Sequence, residues 1–448
     1  MKKFDVFIIG SGVAGTAIAN SCAKKGLKVG VTDEHDYGGT CAMRGCIPKK
    51  VLWGATEVVE AAKRLKGKGI DTAPSVNWKE LMAFKQTFVE PMPSKKETHF
   101  NDNGITTLHG AAKFISTNRL QIAEETVEAR KIVIATGNTT RELDLPGQEH
   151  LRTSDDFLKL DQLPASMLFI GGGYIAFEFA HIAARCGVKV TILEQRNKVL
   201  ANFEKDIVKH IISASKKLGI EIAVETEVNE VEKEENGFVV SGTRNGKTAE
   251  YKAELIFNTA GRVPNIAGLN LEKGGINYSK KGVDVNEFLQ SVSNPDVYTA
   301  GDVSGSPGLP LTPLATMEAI VVADNITEGN HQKGDYSEMP TVVFTIPVMA
   351  SVGLTEKQAE EKGLDFTVNS NSVPDWFSAK RINAEEYAFK IIIEKETEKI
   401  LGAHLIGHHA EETINLFAMA METGMKTSEL KKLIYSFPAS AADIQSMV

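Results

Sequence analysis

Cys41 and Cys46 stand five positions apart in the run GGTCAMRGCIPKK, a spacing that points to thiol redox chemistry. Thiol–disulfide exchange needs a thiolate, a second sulfur within bonding reach and a local field that lowers one thiol pKa. On the first turns of a helix, a separation of about one and a half turns leaves two sulfurs close enough to bridge. The free N–H groups of such a turn also stabilise the anion. The alternative is a structural disulfide or two buried thiols, and the scarcity of structural bridges in reducing compartments argues against it. Four cysteines in 448 residues make no disulfide framework, so the expected compartment is the cytoplasm.

The elements that must position these sulfurs begin with an internal echo. DVFIIGSGVAGTAIANSCAKKGLKVGVTDE carries Gly10, Gly12, Gly15 and an acid at Asp33. MLFIGGGYIAFEFAHIAARCGVKVTILEQ carries Gly171, Gly173, Ala176 and an acid at Glu194. In both copies 23 positions separate the first glycine from the acid. Each follows an apolar strand, opens a helical pattern and meets a second strand ending in a carboxylate, the context a dinucleotide fingerprint requires. The first glycine permits the tight turn, the second lets the backbone approach a pyrophosphate, and the third lets helix and strand pack closely. The phosphates then rest on a helix N-terminus and the carboxylate receives ribose hydroxyls. Two such sites beside one dithiol imply two cofactors. The first unit leads directly into the cysteines and is therefore expected to hold a flavin.

Composition sets the outer limits. Apolar content of 42% and charged content of 24% are ordinary for a globular enzyme, and the length suggests about three domains. A net charge of −8 offers no basic surface for nucleic acid. The opening Met-Lys-Lys and the apolar run after it read as a first strand, since Asp5 interrupts the run and the glycines follow at once. No stretch approaches the roughly 18 apolar residues of a membrane span, so no membrane association is expected. Cys22 and Cys186 fall within or at the end of predicted helices and read as packing residues, and no metal site is expected.

At this point the chain resembles the pyridine nucleotide–disulfide oxidoreductases, the group of glutathione reductase, dihydrolipoamide dehydrogenase and mercuric reductase. The resemblance runs over essentially the whole chain. It is carried by KIVIATG, NTAGRVPN, VYTAGDV, LTPLA, PTVVFTIPVMASVGLTE and KILGAHLIG as well as by the fingerprints and the cysteines. It implies an α/β fold with two Rossmann-like domains, for FAD and NAD(P), and a C-terminal α+β dimerisation domain. The expected division is 1–147 for FAD and the dithiol, 148–264 for the nicotinamide nucleotide, 265–335 for the returning FAD domain, and 336–448 for dimerisation. A homodimer follows from the resemblance alone. Periodicity adds only strands at Phe389 to Glu394 and Ile400 to Ile406, and a helix from Ala410 to Thr423 ended by Gly424.

The same resemblance implies an electron path from nicotinamide to flavin to the Cys41–Cys46 disulfide and on to an acceptor. Cys46 would lie against the flavin and Cys41 would attack the substrate. Lys49 would stabilise the reduced flavin and pair with Glu178. Thr40, Gly137, Gly301 and Asp302 would complete the FAD site, and Tyr174 and Gly261 the nicotinamide site, with Tyr174 as its aromatic lid. Glu194 can bond a ribose 2′-hydroxyl but repels a 2′-phosphate, and Gln195 and Ala201 are not basic where NADPH-preferring glutathione reductases carry arginines. NADH is therefore favoured, with NADPH kept possible by Arg196 and Lys198.

Two departures limit the reading. The thiol reductases of this family end in a histidine and glutamate that move the thiol proton, and here Phe437 and Ala442 occupy those places. Losing a general acid typically costs 10²–10⁴-fold. Asp443, Tyr435, His408 and His409 are the candidates to replace it. The arginines that bind glutathione are also missing, with Asn20 and Ile320 in their places, and the C-terminal cysteine pair of mercuric reductase is absent. Three outcomes follow: an oxidoreductase with an unusual acceptor (a small-molecule or protein disulfide, a metal ion or a quinone), a conventional glutathione or dihydrolipoyl enzyme with a substitute acid, or a low-turnover redox sensor or binding subunit.

Overall fold

Val6, Phe7, Ile8 and Ile9 are all buried in the first strand, Lys2–Ile9, and their alternation builds two cores at once. Val6 and Ile8 pack with Ala14, Ile18, Ala315 and Val322, whereas Phe7 and Ile9 pack with Phe114, Leu120 and Ile132 on the opposite face. A strand covered on both faces belongs in a parallel sheet. The computed structural model describes residues 1–448 and divides into two units, one of 1–49, 83–141 and 262–336 and the other of 50–82, 142–261 and 337–448.

In the first unit, five parallel strands run in the order Thr106–His109, Val29–Asp33, Lys2–Ile9, Glu125–Ile134 and Val297–Thr299. Ala112–Ser116 and Arg119–Ile122 extend the sheet antiparallel beside the first half of Glu125–Ile134. The register sets Ile9 beside Thr32 and Ile134, and Ile134 beside Thr299. The strands thus end level, and the loops carrying Gly10, Gly137 and Gly301 leave from one edge. Ligands of open α/β sheets bind at this carboxyl edge.

The second unit contains a smaller parallel sheet in the order Glu221–Ala223, Lys189–Leu193, Ser166–Ile170 and Leu255–Asn258. It also contains a three-stranded antiparallel sheet over Thr226–Ala253 and a five-stranded antiparallel sheet of Thr341–Val343, Val348–Gly353, Ile400–Gly407, Ala388–Glu394 and Phe366–Ser372. The helix Ala410–Glu422 buries Ile414, Phe417 and Ala420. Lys390, on the strand Ala388–Glu394 and 2% exposed, donates from Nζ to Glu204, Asp206 and Glu356. These three carboxylates lie close enough together to hold a cation, and the lysine ammonium is that cation here. No helix is long and apolar enough to cross a membrane.

Candidate active site

The first glycine cradle is built by close backbone approach. Gly10 has φ +107°, and a Cβ there would lie 2.3 Å from the Ala135 carbonyl oxygen; a Cβ on Gly15 would lie 1.9 Å from that of Gly10. Gly12 faces only the Cα of Gly39, at 3.9 Å from where a Cβ would be, and Gly137, at φ +66°, faces open space. A backbone concavity opens the Val13–Lys24 helix, as a pyrophosphate requires. Asp33 is tied into its own loop: its Oδ2 accepts from Ser11 N at 2.8 Å and Ser11 Oγ at 2.6 Å, and its Oδ1 from His35 N at 3.0 Å. Ser11, an unconstrained position of the fingerprint, is thus what holds the acid against the loop. Burial pushes the Asp302 carboxyl above its ordinary range and the charge of Arg262 opposes this in part.

Cys41 and Cys46 do not share one continuous helix, which corrects the simplest geometry their spacing allows. Cys41 lies on Gly39–Arg44, Gly45 breaks the chain at φ −146° and ψ −116°, and Cys46 opens the helix Cys46–Arg64. A Cβ on Gly45 would lie 2.9 Å from the Thr40 carbonyl oxygen, so a side chain there is excluded. Both cysteines are free thiols, Cys41 half-buried and Cys46 exposed. A hydrogen bond from Cys41 brings Cys46 down to about 6, helped by Thr312 and by the charge of Lys49, and the surrounding protein atoms, which leave the sulfur accessible but partly desolvate it, oppose this. The hydrogen bond to Cys46 and partial burial push the Cys41 thiol up. Thr312 Oγ1 lies 3.6 Å from Cys46 Sγ. The LTPLA run marks the segment, but nothing in it marks Thr312 as a partner of sulfur. Thr40 is exposed in the first turn of the Gly39–Arg44 helix.

The second cradle repeats the first. Gly171 has φ +105°, with a Cβ position 2.5 Å from Ala260 Cα; Gly173 precedes the Tyr174–Arg185 helix, and Gly261, at φ +127°, faces open space. Glu194 Oε2 accepts from Gly172 N at 2.8 Å and Oε1 from Arg196 N at 2.9 Å. Gln195 donates to Glu227 at 3.3 Å, and Tyr174 is 43% exposed at the head of its helix.

Glu178 is buried on that helix, with 3% of its surface exposed, and is not a surface charge. Its Oε1 accepts from Phe344 N at 2.8 Å; His181 Nδ1 accepts from Ile346 N at 3.2 Å, and Arg185 Nη2 donates to Ile346 O at 2.8 Å. Positions i, i+3 and i+7 share one helix face, so three side chains grip one segment. Burial holds the His181 imidazole well below its ordinary value, keeping it a neutral acceptor. Arg185 also pairs with Glu60 at 2.9 Å.

The candidate substitutes for the missing acid all lie in the second unit. Asp443 Oδ2 accepts from Tyr387 Oη at 2.7 Å, and Tyr435 Oη donates to Leu430 O at 3.3 Å. The His408 and His409 rings lie 3.6 Å apart, and burial together with the charge of His409 takes His408 down to about 4. Phe437 is 83% exposed. Cys22 is buried and its thiol pushed up to about 12, and burial takes Cys186 up to about 11, as suits packing residues.

Two cysteines on consecutive helices beside one nucleotide cradle, in a chain that repeats the cradle, are the arrangement of a flavoprotein disulfide oxidoreductase. The chain belongs to the pyridine nucleotide-disulphide oxidoreductase family: the family domain matches residues 4–319 and its dimerisation domain residues 339–448. It is 30% identical over 444 residues to dihydrolipoyl dehydrogenase of Staphylococcus aureus, covering 97% of this chain and 93% of that one. Glutathione reductase of Burkholderia cepacia is 30% identical over 446 residues, with 99% and 98% covered. Among solved structures, the HOCl-induced flavoprotein disulfide reductase RclA of Escherichia coli superposes with a TM-score of 0.89 at 28% identity, with 99% of each chain covered. Its Cu(II) complex superposes equally well, with 100% and 99% covered. The family's members are enzymes that use FAD and a pyridine nucleotide.

Proposed function

We propose that this protein takes electrons from NADH, passes them through FAD to Cys41 and Cys46, and delivers them to an acceptor that needs no thiol protonation by a histidine. The observation that carries the proposal is the placement of Cys41 and Cys46 on consecutive helices directly beside the first glycine cradle, where Gly39 packs against Gly12 and Thr312 Oγ1 lies 3.6 Å from Cys46 Sγ. When bound, FAD supplies the step between two-electron hydride chemistry and the dithiol. The glycine cradle around Gly10, Gly12 and Gly15, with Gly137, Gly301 and Asp302, suits that cofactor. Thr40 begins the turn that carries Cys41. Cys46, opening a 19-residue helix, is the thiolate to set against the flavin, and Cys41 is the thiol for the acceptor. Lys49 supplies positive charge to the dithiol, and Glu178 is a carboxylate to pair with it.

NADH is preferred because Glu194 sits at the strand end with non-basic Gln195 behind it, and Gln195 is tied to another carboxylate, Glu227. Gly171, Gly173, Tyr174 and Gly261 frame the nicotinamide nucleotide. The segment division given above, a homodimer through residues 336–448 and work in a reducing compartment complete the proposal, supported by the matched dimerisation domain and four free thiols.

For the acceptor, a metal ion is favoured among the classes considered. Its support is the Cu(II) complex of RclA together with Phe437 standing where a thiol reductase needs its acid. The test is an acceptor panel with the FAD-loaded protein, comparing Cu(II), quinones, glutathione disulfide and lipoamide, with NADH and NADPH in parallel. Fast Cu(II) reduction with slow disulfide turnover supports the proposal. The second reading, a dihydrolipoyl dehydrogenase or glutathione reductase with a substitute acid, is favoured by the 30% identity to both and would show as fast turnover of one disulfide.

A further inference from the structure

Glu318 lies on the helix Thr312–Glu328 with 2% of its surface exposed, on a face it shares with Ala315, Ala319, Val322 and Asn325. A carboxylate in such a place is costly unless donors satisfy it. Three do. Oε2 accepts from Gly301 N at 2.6 Å, and Oε1 accepts from Ser306 Oγ at 2.6 Å and from Tyr336 Oη at 3.0 Å. The Tyr336 ring is seated where two residues lack side chains: a Cβ on Gly334 would lie 2.6 Å from Tyr336 Oη and one on Gly308 3.0 Å from its ring. Both oxygens are therefore engaged by protein donors, and the shortest bonds run to the turn that carries Asp302.

Gly301 is at φ +78° and its carbonyl accepts from Ser304 N at 2.8 Å, so the Gly301–Asp302 turn is held from both of its ends. The helix that holds it is also the one whose first residue meets Cys46. We propose that Glu318 is a positioning residue for the flavin: by accepting the Gly301 N–H it fixes the turn that presents Asp302 to FAD. The inference rests on the assignment of Gly301 and Asp302 to that cofactor.

Two conservative variants separate reach from charge. Glu318→Asp keeps the charge but withdraws the acceptor by one methylene, and Glu318→Gln keeps the reach but removes the charge. With the holoenzyme purified in each form, FAD dissociation is read from flavin fluorescence on dilution and the midpoint potential from equilibration with redox dyes. Glu318→Asp should release FAD about tenfold more readily, as loss of one charge-assisted hydrogen bond to a fixed turn implies. Glu318→Gln should hold FAD within about threefold of the native protein and shift the flavin potential positive, because a buried negative charge is gone. Native FAD affinity in Glu318→Asp, or equal loss in both variants, would overturn the inference and leave the flavoprotein reading intact. A native protein that binds no FAD would overturn both.

Discussion

Cys46 Sγ lies 3.6 Å from Thr312 Oγ1, so two helices that begin 266 positions apart meet at one sulfur. The hydroxyl donates to the thiolate and adds to the hydrogen bond from Cys41 that brings Cys46 to about 6. In the reduced protein the thiolate should therefore form as pH rises through about 6 and disappear below it. Thr312→Val should move that transition upward by about one pH unit, the size of one hydrogen bond to a charged group. A pH titration of thiolate absorbance near 240 nm checks this. An unmoved transition would mean that Cys41 and Lys49 suffice.

The hydrogen bonds of Glu194 sharpen the nucleotide expectation. Because its two oxygens hold Gly172 N and Arg196 N, Glu194→Ala should weaken both nucleotides by loosening the loop, and NADH more than NADPH by removing the 2′-hydroxyl acceptor. The ratio of kcat/KM values should narrow from a native preference for NADH. A native preference for NADPH of more than about tenfold, equivalent to about 1.4 kcal/mol, would contradict the reading.

Phe437 should limit thiol chemistry and spare hydride transfer, since a thiol acid acts only after the dithiol is reduced. Phe437→His with Ala442→Glu should raise lipoamide or glutathione disulfide turnover by up to about 10², short of the full general-acid effect because the surroundings are not tuned for the new pair. Stopped-flow flavin reduction by NADH should not change. Native turnover of either disulfide at hundreds per second would show that another group supplies the proton.

The Lys390 cluster should be a main determinant of stability. Lys390→Met leaves Glu204, Asp206 and Glu356 facing one another without their cation, and breaking a buried pair in this way costs about 3–5 kcal/mol. Asp206 is held at about 2 by Lys209 and Lys390; burial is the largest single effect on Glu204 and raises it, but the hydrogen bonds from Lys390 and from Glu356 N together with the Lys390 charge outweigh it and keep that carboxyl low. Depressed carboxyls contribute stability that is present above their unfolded values and lost as pH falls. Native stability should decline from about pH 4 toward 2, and Lys390→Met should flatten that decline, as urea unfolding at several pH values would show.

Much of the site was legible because its signals are local. Gly10 and Gly15 are close-approach positions five residues apart where strand turns into helix, and Cys41 and Cys46 are five residues apart. What periodicity could not reach depends on partners far along the chain. Thr312 reaches Cys46 and Phe344 N reaches Glu178, the latter across 166 positions, and no local pattern encodes either. The break at Gly45 escaped for another reason: one glycine between helical residues reads as tolerated until the Thr40 carbonyl is seen filling the space of its side chain. Asp33 and Glu194 were legible as acids at strand ends, but their bonds to Ser11 and Gly172 depend on how each loop folds back.

The central claim is that the dithiol and the flavin exchange electrons, and anaerobic titration of the FAD-loaded protein tests it most directly. Two electrons per flavin should produce a long-wavelength absorbance band from the Cys46 thiolate beside oxidised flavin. Cys46→Ser should abolish that band, and Cys41→Ser should show it without any reductant. Full bleaching of the native flavin by two electrons, with no such band, would contradict the account.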